Sequence, residues 1–268
     1  MAYDNTVFWS PLELQSTGQN ATILAVGDSW FWYPMKGGSL INNIGDLVKA
    51  QGHKILVAGN NGAEAYDYVK GKYKGACREL FRLYGSSAEA LLISGGGNDF
   101  AGFNDLRPLL NSDCQSATSA IQCFRPGEVD DEGCLNWLMN RTYENYALLI
   151  SRAIERMKPN TKIFVHNYDY SVPSGKGLMG GDSWIKPALT DAKVPLAQHQ
   201  ECIKFLVDSH TLVLLKLQNS LAERIVIVDS RNTLAPNDWA NELHPTGVGF
   251  RKIARQRWQP LLKQHGLA

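Results

Sequence analysis

Short apolar runs that end on glycine and alternate with helical patterns constrain this chain more than any other feature. Thr22-Ile23-Leu24-Ala25-Val26 closes on Gly27, and Lys54-Ile55-Leu56-Val57-Ala58 closes on Gly59. Neither run alternates apolar with polar residues, so both faces of each strand need cover, as in a buried parallel sheet. Between them Leu40, Ile41, Ile44 and Leu47 fall at helical spacing, with Ser39 as N-cap and Gly52 as a stop. The same patterns predict strands over 89–94, 162–165 and 224–228, and helices over 76–84, 137–157, 197–221 and 246–264. Strands alternating with helices place the chain in the α/β class. The expected architecture is a three-layer α/β/α sandwich around a five-stranded, mostly parallel, flavodoxin-like sheet. At 268 residues, one large domain over 1–268 is expected. Two loop-rich insertions, at about 101–136 and 171–195, are candidates for shaping a pocket.

Charge excludes one class of partner. Lys plus Arg total 27 against 26 Asp plus Glu, a net charge of +1. No basic footprint exists to drive nucleic-acid binding by counterion release. The opening residues lack a basic segment followed by an apolar one, and no run approaches the ~18 apolar residues that cross a bilayer. A cytoplasmic protein without a membrane span is the expectation. The five cysteines, Cys77, Cys114, Cys123, Cys134 and Cys202, show no C-x-x-C spacing. Free thiols are expected, with a disulfide among Cys114, Cys123 and Cys134 left open. Oligomeric state is not legible.

Ser29, Gly62 and Asn98 each lie just beyond one predicted strand, where doubly wound sheets bind their ligands. A serine hydroxyl becomes a nucleophile only beside a base, and the oxyanion it generates needs fixed donors. His244 supplies a candidate base. Asn98 can donate through its amide without carrying charge, and glycine lets a backbone N–H approach a reacting atom closely. Trp30 and Trp32, in the aromatic run after Ser29, and His166 and Tyr168, beyond the fourth strand, are candidate substrate-binding residues. Asp28 and Asp99 read as hydrogen-bonding struts in the turns.

Taken in order, V-G-D-S at 26–29, N-N-G at 60–62, G-G-N-D at 96–99 and E-L-H-P at 242–245 resemble the four sequence blocks of the SGNH hydrolases, the GDSL esterases and lipases. The resemblance implies a carboxylic-ester hydrolase acting through an acyl-enzyme. By it, Ser29 is the nucleophile and His244 the general base. The N–H groups of Ser29 and Gly62 and the side chain of Asn98 form the oxyanion hole. It implies no metal and no cofactor, and a small-molecule, lipid or glycan ester as substrate. Carbohydrate O-deacetylation on the same machinery and a noncatalytic binding module on this scaffold are the alternatives. One position departs from the pattern: the family usually carries Asp three residues before the histidine, and here that residue is Asn241. Asn241 is the first choice for orienting the imidazole and Asp238 the second; a Ser-His dyad is also open. Glu242 reads as a surface residue or one behind the site.

The tetrapeptide Gly27-Asp28-Ser29-Trp30 recurs as Gly181-Asp182-Ser183-Trp184, but the second copy follows a glycine-rich loop rather than an apolar strand. A mobile loop offers no rigid platform for a nucleophile. Ser29→Ala is therefore expected to abolish ester hydrolysis and Ser183→Ala to retain most of it. Equal losses in steady-state assays would reverse the assignment.

Overall fold

A computed structural model describes residues 5–33 and 38–268. Its strands are β1 (Val7–Phe8), β2 (Ile23–Gly27), β3 (Ile55–Gly59), β4 (Ala90–Ser94), β5 (Lys162–His166) and β6 (Ile225–Val228). They form one sheet in the order β1-β3-β2-β4-β5-β6 with every pair parallel. Helices cover both faces, giving the expected three layers. The sheet has six strands, not five. The additional strand, β1, is an edge of two residues on β3, too short to register as an apolar run.

Successive strand side chains point to opposite faces, and here both faces are dry. Leu24, Val26, Leu91, Ile93, Ile163 and Val165 join one buried cluster, with the helices Lys74–Tyr84, Leu135–Ile154 and Leu196–Ser220. Ile23, Ala25, Ile55, Val57, Leu92 and Phe164 join the other, under Leu40–Val48 and the C-terminal helices. This double burial is why the strands are apolar throughout. The C-terminal helical stretch is interrupted by one wide π turn at Ala254–Trp258. Trp258, fully buried, packs there against Phe31, Phe164 and His166.

At the start of Leu40–Val48 the Asn42 Oδ1 accepts the Ser39 N–H at 3.0 Å, while the Ser39 hydroxyl donates to Phe31 O at 2.7 Å. The cap thus ties the helix to the turn that follows β2. All five cysteines are free and buried. The disulfide left open by the sequence does not form; the Cys114 thiol donates instead to Cys123 O at 3.4 Å.

Gly27 marks where the sheet ends and the site begins. A Cβ there would sit 2.6 Å from Phe31 Cδ2 and 2.7 Å from Ser94 O. Gly27→Ala is expected to cost about 1–3 kcal/mol through overpacking. Gly75→Ala, with open space around the new methyl at an exposed helical position, should be neutral or stabilising by up to about 1 kcal/mol. Paired urea denaturation curves would check both.

Candidate active site

Register brings the turns together. Gly27 pairs with Gly59 and with Ser94, and Ser94 with His166, so the strand tips end almost level. Beyond β2, Asp28 N–H donates to Ser94 O at 2.9 Å, and Asp28 O accepts from Phe31 and Trp32. The Asp28 carboxylate takes the Trp30 N–H at 2.9 Å and the Tyr168 hydroxyl at 2.6 Å. Burial pushes that carboxyl up to about 6, against the lowering effect of the Tyr168 bond. Asp28 is thereby the strut expected of it, and Ser29 is left at the apex of a turn pinned on both sides.

Ser29 and His244 are only 7% exposed. The Ser29 Oγ lies 2.7 Å from His244 Nε2, and His244 Nδ1 lies 3.0 Å from Asn241 Oδ1. An amide oxygen only accepts, so Nδ1 carries the proton and Nε2 presents its lone pair to the serine hydroxyl. Asn241 Oδ1 also accepts the N–H groups of Leu243 and His244, each at 2.9 Å, which fixes it in place. Burial lowers the His244 pKa to about 4, so the ring is a neutral base at physiological pH. The Tyr33 ring stacks on the imidazole at 4.4 Å with 13° between planes, and Trp184 meets it edge-on at 6.0 Å.

Asp238 is not the group behind the histidine. Its carboxylate is held by Lys252 Nζ at 2.7 and 2.8 Å and by the Ala235 N–H. Although burial opposes it, the Lys252 bond keeps that carboxyl below its usual range. Nor is Glu242 on the surface: it is fully buried and receives backbone N–H groups from Gly175, Trp184, Ile185 and Lys186.

Asn98 lies beside Ser29 in the lining of one cavity, its Nδ2 donating one hydrogen to Ala63 O at 2.9 Å. Gly62 sits in the turn after β3 at φ +70, a left-handed conformation suited to glycine. Among the described residues, the N–H groups of Ser29 and Gly62 have no backbone or side-chain acceptor. Asp99 accepts the Ala65 N–H at 2.9 Å, and burial raises its carboxyl to about 7.

Of the four candidate substrate-binding residues, the structure brings Trp30 and Tyr168 to the cavity and leaves two away from it. Trp30 also donates Nε1–H to Leu243 O at 2.9 Å, tying the serine turn to the histidine loop. His166 is a core residue. It is fully buried between the hydroxyls of Ser94 and Ser230, at 3.1 and 2.7 Å, and burial lowers its pKa to about 3. Trp32 is 37% exposed and packs edge-on against Trp9 outside the cavity lining. Both departures have one cause, since strand alternation and turn direction, not nearness in sequence, decide where a side chain points.

The cavity measures about 50 Å³, and its walls are mainly apolar, with Phe100, Ile203, Leu206, Val207 and Trp239 prominent. Ala101 comes from one insertion and Ser171 and Ile185 from the other. Glu242 takes the second of its two expected places, behind the site, while Tyr33 and Trp184 are site-forming residues that the sequence does not single out. Their only sequence signals were the aromatic run after Ser29 and the repeated tetrapeptide. No group of three or more His, Cys, Asp or Glu side chains among the described residues is placed to hold a metal ion. No described helix is long and apolar enough to cross a membrane.

No protein-family model and no curated protein matches the sequence. Solved structures do match. A candidate GDSL-like lipase from Parabacteroides merdae is 16% identical, with a TM-score of 0.54 over 93% of this chain and 97% of that one. A carbohydrate acetylesterase family member from Sinorhizobium meliloti is 12% identical, with a TM-score of 0.51 over 91% and 98%. The chain has the SGNH-hydrolase fold.

The amide behind His244 predicts a measurable titration. Two-dimensional NMR of the imidazole should give a pKa near 4, and Asn241→Asp should raise it, because a carboxylate facing Nδ1–H stabilises the imidazolium. An unchanged or lower value in Asn241→Asp would mean that residue 241 does not face the ring.

Proposed function

We propose that this protein is a serine carboxylic-ester hydrolase, with residues 1–268 forming one catalytic domain. The observation that carries this reading is the 2.7 Å contact between Ser29 Oγ and the lone-pair nitrogen of His244. As Ser29 Oγ attacks the ester carbonyl, its proton passes to Nε2. The carbonyl π pair moves onto oxygen, and the resulting oxyanion is received by the N–H groups of Ser29 and Gly62 and the free hydrogen of Asn98 Nδ2. Collapse of the tetrahedral adduct expels the alcohol, which takes the proton from Nε2. Water then repeats the sequence on the acyl-enzyme and releases the acid. Preorganised donors of this kind are worth roughly 10²- to 10³-fold each. Asn241 orients the ring as an uncharged partner, so the imidazolium is stabilised less than an aspartate would stabilise it. That arrangement suits a base that remains unprotonated in mildly acid solution.

Cavity size speaks to the acyl group. The cavity beside Ser29 is small, about 50 Å³, and mainly apolar, which favours a short acyl chain. This fits acetyl to butyryl esters. A narrower reading, carbohydrate O-deacetylation, is favoured by a groove of about 350 Å³ of mixed lining, in which Glu64, Asp99, Asn104, Asp105 and Asn145 stand beside the rings of Tyr66 and Trp137. The Sinorhizobium neighbour is a carbohydrate acetylesterase family member, which is compatible with that choice.

A fluorophosphonate probe should label the wild-type protein and not Ser29→Ala. p-Nitrophenyl acetate and butyrate should exceed p-nitrophenyl decanoate in kcat/KM by at least about tenfold. No labelling of wild type would favour a binding module on this scaffold, and a preference for decanoate would remove the short-acyl assignment.

A further inference from the structure

The second insertion is fastened by one side chain. Glu242 is fully buried, which is costly for a carboxyl group unless its oxygens are satisfied. Its Oε1 accepts the Gly175 N–H at 2.7 Å, and its Oε2 accepts those of Trp184 and Ile185 at 2.9 and 2.8 Å. The Lys186 N–H is shared between the two oxygens at 3.3 and 3.4 Å. Glu242 also donates its own N–H to Lys176 O at 3.1 Å. Both ends of the segment 175–186 are therefore tied to a single residue, the second before His244.

What the tie delivers is specific. Trp184 lies edge-on to the His244 ring, and Ile185, next to it, is 6% exposed and forms part of the cavity wall. The repeated tetrapeptide acquires a meaning here. Trp30, from the first copy, holds Leu243 O, while Trp184, from the second, covers His244. The two tryptophans flank one loop.

We propose that Glu242 is a positioning residue that latches segment 175–186 over the Ser29–His244 pair, so that Trp184 keeps water from the imidazole and Ile185 closes the end of the acyl cavity. The inference rests on the ester-hydrolase reading for its kinetic consequences but not for its structural ones. A glutamine cannot replace this carboxylate, because its NH₂ would face backbone N–H donors that need an acceptor. Ser29, Tyr33, Asn241 and Trp184 meet the His244 ring, none of them charged near neutral pH. The acids nearest in sequence to the pair, Asp28 beside Ser29 and Asp238 and Glu242 before His244, direct their carboxyls to Tyr168 and Trp30, to Lys252, and to the strap, respectively. Desolvation is accordingly what keeps the imidazole from protonating, and admitting water should raise its pKa toward the ordinary histidine range.

The test uses the full chain carrying Glu242→Gln, Trp184→Ala, Ile185→Ala or Glu242→Gln with Trp184→Ala. Three quantities are measured: the His244 pKa by NMR, the acid limb of kcat/KM, and the ratio of p-nitrophenyl octanoate to acetate hydrolysis. Trp184→Ala and Glu242→Gln should raise the pKa and move the acid limb to higher pH, the double variant going no further than Glu242→Gln alone. Ile185→Ala and Glu242→Gln should raise the octanoate-to-acetate ratio by about tenfold or more. If Glu242→Gln lowers Tm but leaves the pKa and the ratio at wild-type values, Glu242 only supports the fold and the latch is wrong. Should Glu242→Gln fail to fold, wild-type values in both Trp184→Ala and Ile185→Ala overturn the proposal equally. A protein with no esterase activity at all would sink the hydrolase reading instead, and the NMR pKa in Trp184→Ala would still decide whether the strap shields the ring.

Discussion

Everything at the site depends on the register of a parallel sheet. Because β2, β3, β4 and β5 are aligned so that Gly27 meets Gly59 and Ser94, and Ser94 meets His166, the chain leaves the sheet at neighbouring points on one edge. Parallel strands need crossover helices, which cover both faces and leave that edge as the place where loops from distant parts of the sequence can meet. Slipping one strand by one residue would turn its apolar side chains to the opposite face and displace its turn. The dry packing on both faces thus also sets the relative heights of Ser29, Gly62 and Asn98.

The loop bearing His244 is positioned by a different kind of interaction. It follows the last strand by many residues and is fixed by polar bonds to other loops: Trp30 Nε1 to Leu243 O, Asn241 Oδ1 to two backbone N–H groups of its own turn, and Glu242 to the second insertion. Asp238 contributes by accepting Lys252 and Ala235, and its own carbonyl accepts the Thr246 N–H at 2.7 Å. Buried polar bonds of this sort have exacting directions, so they specify geometry where apolar packing alone would allow sliding. The acids that sequence proximity offers to the histidine are therefore spent on holding the loop, and the ring is oriented by a neutral amide.

That choice shapes the electrostatics. Asp28 and Asp99, buried beside the turns, are pushed up to about 6 and about 7, while His244 is lowered to about 4. Each shift disfavours charge, which is what a site with low water access does to isolated ionisable groups. Among the described residues, the hydrogen bonds of Ser29 Oγ and the His244 ring run to each other and to the neutral Asn241 amide. In the proposed hydrolysis, charge developing there would be met by dipoles already in place, the backbone N–H groups and the Asn98 amide.

The sequence by itself determined the α/β class, the alternation of strands and helices and the strand ends on which Ser29, Gly62 and Asn98 sit, because apolar periodicity and glycine turns are local signals. It missed the edge strand β1, whose two residues carry no periodicity. It also placed His166 and Trp32 at the pocket, where the fold put His166 in a hydroxyl-lined core position and Trp32 against Trp9, and it left Glu242 between the surface and a place behind the site, of which the fold took the second. Only the tertiary structure decided between Asn241 and Asp238, and only it brought Tyr33 and Trp184 onto the two sides of one imidazole. The physical reason is that hydrogen-bond direction and ring packing between residues as far apart as 29 and 244 depend on where loops close in space, and residue spacing along the chain carries no record of that closure.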